Sequence, residues 1–205
     1  MDFFREISSK PWLESQVAID DTHQGRAYTL PSVTIGLRVF LGVVTVLFSL
    51  TVVAYSDRMT LADWRPVPEP TLMWLNIVVL FASSVAMQWS VISARRGRTA
   101  NVEIGMLVGG ALALAFLAGQ LLMVRQMNAL GYFAPTNPAL AFLYMLSAMH
   151  GVHLLGGLVA WGRTVMRIWG GHEAHQVRMS VELCAFYWHF LLVVWFLLFV
   201  WFSIT

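Results

Sequence analysis

Five long stretches of the chain are almost wholly apolar, and short polar segments separate them. They run over residues 33–55, 71–93, 104–126, 139–162 and 182–203. Each is long enough to cross a bilayer as a helix, because about 20 residues at about 1.5 Å each match a hydrocarbon layer of about 30 Å. None alternates apolar and polar positions as a half-exposed strand does. The intervening segments hold Pro66, Pro68, Pro70, Gly131, Pro135, Pro138 and Gly170-Gly171, which suit helix ends and turns. The pattern predicts an all-α fold, a polytopic membrane helix bundle with five transmembrane helices. It divides the chain into an N-terminal arm, 1–32, and a five-helix membrane domain, 33–205. In the arm, Phe3, Phe4, Ile7, Trp12 and Leu13 suit a membrane surface or a neighbouring subunit, and Pro11 interrupts any long helix.

Composition agrees with this reading. Of the 205 residues 58% are hydrophobic and 12% charged, against about 25% charged in a soluble domain. The net charge of +2 is too small and too dispersed to suit nucleic acid. A single cysteine, Cys184, rules out an internal disulfide and reads as a buried thiol. The first apolar run starts late and after mixed charge, unlike a secretory signal. Arg5, Lys10, Arg26, Arg38, Arg95, Arg96, Arg98, Arg163, Arg167 and Arg178 fall on one side of the predicted topology, and Arg58, Arg65 and Arg125 on the other. Basic residues favour the cytoplasmic side, so the expected N-terminus is cytoplasmic and the C-terminus lies on the outer side. Trp12, Trp64, Trp74, Trp89, Trp161, Trp169 and Trp201 lie near span ends, as interfacial anchors do.

Polar residues inside lipid need a partner or a purpose. Counting along the spans puts Asn76 and Gln120 at a common depth, about 8 and 9 Å from the outer side, where two amides can bond between helices. Gly105-xxx-Gly109 followed by Ala113 reads as a helix–helix contact. Span four carries His150-Gly151-Val152-His153, with both imidazoles on one face, then Gly156 and Gly157, which let another helix approach. Span five carries Glu182 and His189 seven residues apart on one face, around Tyr187 and Trp188. A polar layer joining spans four and five is expected from His153, His189 and Glu182, with His150 nearer the midplane. A packing network is the favoured reading. A lipid-headgroup or proton role at the inner rim, and a metal or haem site, are the alternatives; a tight metal site needs three or four converging ligands. No Cys-x-x-Cys-His haem-attachment motif occurs.

These motifs together carry a resemblance. Leu47-Phe48 and Ala54-Tyr55, Leu75-Asn76 with Ser83-Ser84, Gly119-Gln120, His150-Gly-Val-His153 with Gly156-Gly157, and Glu182 with Tyr187-Trp188-His189-Phe190 resemble subunit III of the haem–copper respiratory oxidases. Five spans resemble its short bacterial form. Two positions depart. Val44 stands at the register of the family's glutamate in its first shared helix, with Val43 in place of a serine. Leu192 stands where an aspartate usually follows the Tyr-Trp-His-Phe run. A proton role tied to that acid does not carry over.

The resemblance implies a non-catalytic subunit of a cytochrome c oxidase type complex in aerobic electron transport. Such a chain stabilises catalytic subunit I, packs with the other oxidase subunits and binds membrane phospholipid. It holds no cofactor of its own, the haem and copper lying in the partner, and it sits in the bacterial cytoplasmic membrane. No catalytic, cofactor-binding or metal residue is assigned. His150, His153, Glu182 and His189 are expected to be structural or lipid-associated. Asn76, Gln120, Gly156, Gly157, Tyr187 and Trp188 are expected to pack helices together. An accessory subunit of a quinol oxidase or nitric oxide reductase, and a free-standing small transporter or lipid-binding protein, remain as alternatives.

Overall fold

The computed structural model describes residues 32–61, 64, 71–133 and 137–204. The arm lies outside them apart from Ser32. The described residues form five helices and no strand: α1, Ser32–Arg58; α2, Thr71–Arg95; α3, Thr99–Ala129; α4, Pro138–Trp169; and α5, Ala174–Ile204. All five are long and apolar enough to cross a membrane.

The helices outrun the apolar stretches that predict them. α4 continues seven residues beyond 162, through Arg163 and Arg167, and α5 begins eight residues before 182. A helix need not stop where the hydrocarbon does. Its backbone stays paired in the headgroup region, while exposed arginines there face polar surroundings. The actual ends have local causes. Asn137 caps α4 by accepting from the Ala139 N–H at 3.0 Å, and Pro138 fills a first-turn position that needs no donor. Beyond α4, Gly171 takes φ +82°, a conformation that costs a side-chain-bearing residue energy, and the chain turns back into α5.

Chain contacts separate Met1–Gly36 from Leu37–Thr205. Within the second unit, α2 packs between α3 and α5, and α4 packs between the same two helices, which closes a ring of four. Neighbours in the ring run antiparallel, as short connections require. Trp188, Trp195, Phe116 and a run of methionines, Met87, Met106, Met123 and Met127, fill its centre. α1 lies outside the ring, and its backbone forms no extended contact with the other helices. It is held by Leu41, Val44, Phe48 and Tyr55, which are buried on one face. The Tyr55 ring meets Phe142 of α4 at 5.6 Å and Phe202 of α5 at 5.4 Å, both edge-on.

Small residues decide which helices touch closely. Lipid tails are as apolar as leucine, so tight packing replaces the hydrophobic effect as the source of association. A methyl group added to Gly109 would lie 2.8 Å from Met87 Cε, and one added to Gly105 would collide with Ser90. The Gly105, Gly109 and Ala113 stripe is thus the α2–α3 contact. On an adjoining face of α3, the space left by Gly110 is filled by the indole of Trp161, whose Nε1 donates to the Met106 carbonyl at 2.7 Å. Trp161 is a wedge between α3 and α4, unlike the interfacial anchor its place near a span end suggests. Of the paired glycines, Gly157 faces α5, whereas Gly156 faces away and meets nothing within 4 Å.

These two environments predict opposite outcomes for one substitution. Gly110→Ala should lower stability in detergent by about 1–3 kcal/mol, because the rigid indole cannot yield. Gly156→Ala should stay within about 0.5 kcal/mol of the parent. Unfolding in a denaturing detergent series, followed by tryptophan fluorescence, measures both.

Candidate functional site

Several polar side chains in the spans lie along the seam between α2 and α5. Trp188 is wholly buried there, and its indole Nε1 donates to Ser83 Oγ at 3.0 Å. The same hydroxyl donates to the Gly109 carbonyl at 2.7 Å. One serine therefore links α5, α2 and α3, and it reaches the α3 backbone because residue 109 has no side chain. His189 follows on α5. Its Nδ1 meets the Ser84 hydroxyl and its Nε2 meets Gln88 Oε1 at 3.0 Å. An amide oxygen only accepts, so Nε2 carries the proton, and Nδ1 of a neutral ring accepts from Ser84. At the end of the seam, Glu182 Oε1 accepts from Arg95 Nε at 2.9 Å and from Arg178 Nε at 3.1 Å. Arg178 is one turn before Glu182 on α5, whereas Arg95 ends α2.

The α4 side is arranged differently. Gly157 leaves room for the Tyr187 ring, whose hydroxyl donates to the His153 carbonyl at 2.7 Å. The His153 ring turns back on its own helix, Nδ1 donating to the Met149 carbonyl at 2.7 Å. Its faces meet Phe40 at 6.1 Å and Phe48 at 5.6 Å between ring centres, both on α1. His150 is fully buried among Phe48, Phe116 and Trp195, and neither ring nitrogen has a hydrogen-bond partner in the protein.

The structure redraws two expectations. His153, His189 and Glu182 do not form one network between α4 and α5. His189 and Glu182 bond to α2, while His153 faces α1, so the imidazoles sit on different sides of the bundle. Asn76 and Gln120 are buried at adjoining levels, Asn76 against Gly119, yet they do not bond to each other: Asn76 Nδ2 and both polar atoms of Gln120 are unpartnered. Trp188, Tyr187 and Gly157 stand at helix contacts. Cys184 is buried, with Thr164 Oγ1 at 3.7 Å from its sulfur. Among the described residues, no three of His, Cys, Asp and Glu converge as a metal site.

The family model for cytochrome c oxidase subunit III matches residues 12–204, taking in all five helices. The chain belongs to the cytochrome c oxidase subunit III family. The match begins well ahead of α1, so it extends into the arm beyond the motifs that carry the resemblance. Curated relatives agree. The cytochrome c oxidase subunit 3 of Thermostichus vulcanus is 26% identical over 196 residues, covering 91% of this chain and 94% of the relative. The probable cytochrome c oxidase subunit 3 of Mycobacterium leprae is 30% identical over 142 residues, covering 66% and 68%. That of Synechocystis is 29% identical over 148 residues, covering 70% and 62%. The family makes this chain a multi-pass membrane protein that associates with other oxidase subunits.

Within this subunit III chain, Val44 is buried on the inward face of α1, while Val43 is exposed. Leu192 packs, half-buried, against the core. From the sequence, Ser84 and Arg95 are named without a bonding partner for either, and Gln88 is not singled out. Ser84 and Gln88 form an i, i+4 polar pair in an apolar span, which is a usable signal for a partner on another helix. Arg95 carries no such signal, since its charge already has a reason to sit at a span end.

The shared hydroxyl gives a direct test. A double-mutant cycle with Ser83→Ala and Trp188→Phe should show a coupling of about 0.6–1.7 kcal/mol, the range for hydrogen bonds between membrane helices. A coupling of zero would leave packing alone to hold the seam.

Proposed function

We propose that this chain is the non-catalytic subunit III of a haem–copper terminal oxidase of the cytochrome c oxidase type. In this reading it steadies catalytic subunit I, which holds the haem and copper, and keeps phospholipid beside it. The observation that carries the reading is the family match across every helix. The internal chemistry supports it. Both nitrogens of His189 and the carboxylate of Glu182 are already engaged in bonds between α5 and α2, which suits a scaffold, and Nδ1 of His153 is taken up by its own helix. Arg95 and Arg178 stay more than half exposed at one end of the bundle, beside Glu182, and suit lipid headgroups. With Val44 and Leu192 apolar, the role includes no proton uptake through an acid at those positions. The reading includes a cytoplasmic N-terminus, which the arginine distribution favours, and a bacterial cytoplasmic membrane, which the resemblance to the short bacterial form supports.

The test is to tag the chain, extract it in mild detergent and record a reduced-minus-oxidised spectrum of what accompanies it. Haem bands in fixed proportion to the chain are expected. Their positions separate cytochrome c oxidase from quinol oxidase and nitric oxide reductase partners. A colourless single chain would overturn the assignment in favour of a free-standing transporter or lipid-binding protein. Within the complex, His189→Leu should lower the amount assembled several-fold, as a loss of about 1–2 kcal/mol does, and leave turnover per haem unchanged. Full assembly with lost turnover would contradict the scaffold role.

A further inference from the structure

Seven buried side-chain atoms without a hydrogen-bond partner in the protein lie at one level of the ring: Asn76 Nδ2, Gln120 Nε2 and Oε1, Ser147 Oγ, both nitrogens of His150, and Trp195 Nε1. Helix register brings them together. Phe116 of α3 meets His150 of α4 at 5.6 Å, so one turn along α3, at Gln120, corresponds to one turn back on α4, near Ser147. Asn76 of α2 lies against Gly119, the neighbour of Gln120. Trp195 of α5 lies 4.8 Å from His150 between ring centres. All four helices of the ring contribute, within about one helical turn, or about 5 Å of height.

Direct pairing does not account for them. The His150 and Trp195 rings lie tilted at 34° with 4.8 Å between centres, and no nitrogen of one bonds to the other. Phe48 and Phe116 close other sides of the imidazole and offer no acceptor of ordinary strength. Buried polar atoms in native proteins almost always find a partner, and where the protein supplies none, ordered water does.

We propose that this level of the bundle is a water-binding site, a small cluster of water molecules held between α2, α3, α4 and α5. Its chemistry is balanced. Trp195 and the two amides present N–H groups, Gln120 presents a carbonyl oxygen, and Ser147 and a neutral His150 each both donate and accept. A water molecule with two to four such partners is part of the structure and is costly to remove. The site is separate from the α2–α5 seam, whose polar groups are paired within the protein.

Two measurements test the proposal on the full chain in its assembled complex. A cryo-electron microscopy map that resolves ordered water should show density within hydrogen-bonding distance of Ser147 Oγ and a His150 nitrogen. Side chains closed on one another with no such density would overturn the proposal. Gln120→Met gives an independent reading of opposite sign for the two cases. In a dry core the change removes unpaired atoms and raises the melting temperature or leaves it alone, which overturns the proposal. In a wet core it strips partners from bound water, and the melting temperature should fall by about 2–4 °C. Where the variant does not assemble, the density map decides.

Discussion

A tryptophan buried inside a membrane bundle poses a problem that only the protein can solve. Its indole is large enough to fill the centre between helices, yet its N–H finds no bulk water there, and an unpaired donor in that medium is costly. The fold answers with Ser83, which accepts the hydrogen bond of Trp188 and donates its own to the backbone of α3. Much else follows from that exchange. The serine reaches a helix carbonyl only where the partner helix is bare, which is the work of Gly109. The two rings of Tyr187 and Trp188 fit against α4 only because Gly157 lacks a side chain. Glycines on α3 and α4 thus set the spacing, and polar side chains on α2 and α5 lock it.

The sequence reveals the number of helices and the depth of their polar residues more readily than their neighbours. Length and apolarity are properties of a single segment, so the five spans are plain from the residues alone. Height follows from a rise of about 1.5 Å per residue, and it places Asn76 and Gln120 at adjoining levels. Which way a side chain faces is useful only once the order of helices around the ring is known, and nothing local records that order. His153 and His189 come from motifs of equal prominence, yet one faces α1 and the other α2. Gly156 and Gly157 are indistinguishable as letters, although one is open and the other at a helix contact. Trp161 has the address of an interfacial anchor and the duty of a core wedge, because Gly110 on another helix makes the space.

Val44 shows how a departure from a family pattern is absorbed. It lies between Leu41 and Phe48 on the buried face of α1, with a relative exposure of 2%. An acid at such a site must find a proton or a cation, and the titratable groups that meet this face of α1, through Phe40 and Phe48 on either side of Val44, are the imidazoles of His150 and His153. A valine needs neither. The change therefore simplifies the face by which α1 meets the ring and leaves the polar seam elsewhere untouched.

The attachment of α1 also carries information about how the molecule is made. Translation delivers α1 before the other four helices, but apart from Trp64, which follows it and meets Tyr55 at 4.8 Å, the rings that hold it belong to α4 and α5: Phe142, His150, His153, Tyr187 and Phe202. No extended backbone contact joins it to α2, its nearest successor in the chain. During biosynthesis α1 therefore lacks most of the rings it finally meets until α4 has been inserted, and the rest until α5 has. A ribosome that stops after three helices leaves a pair, α2 and α3, able to pack at their glycines, with α1 still lacking the rings of α4 and α5.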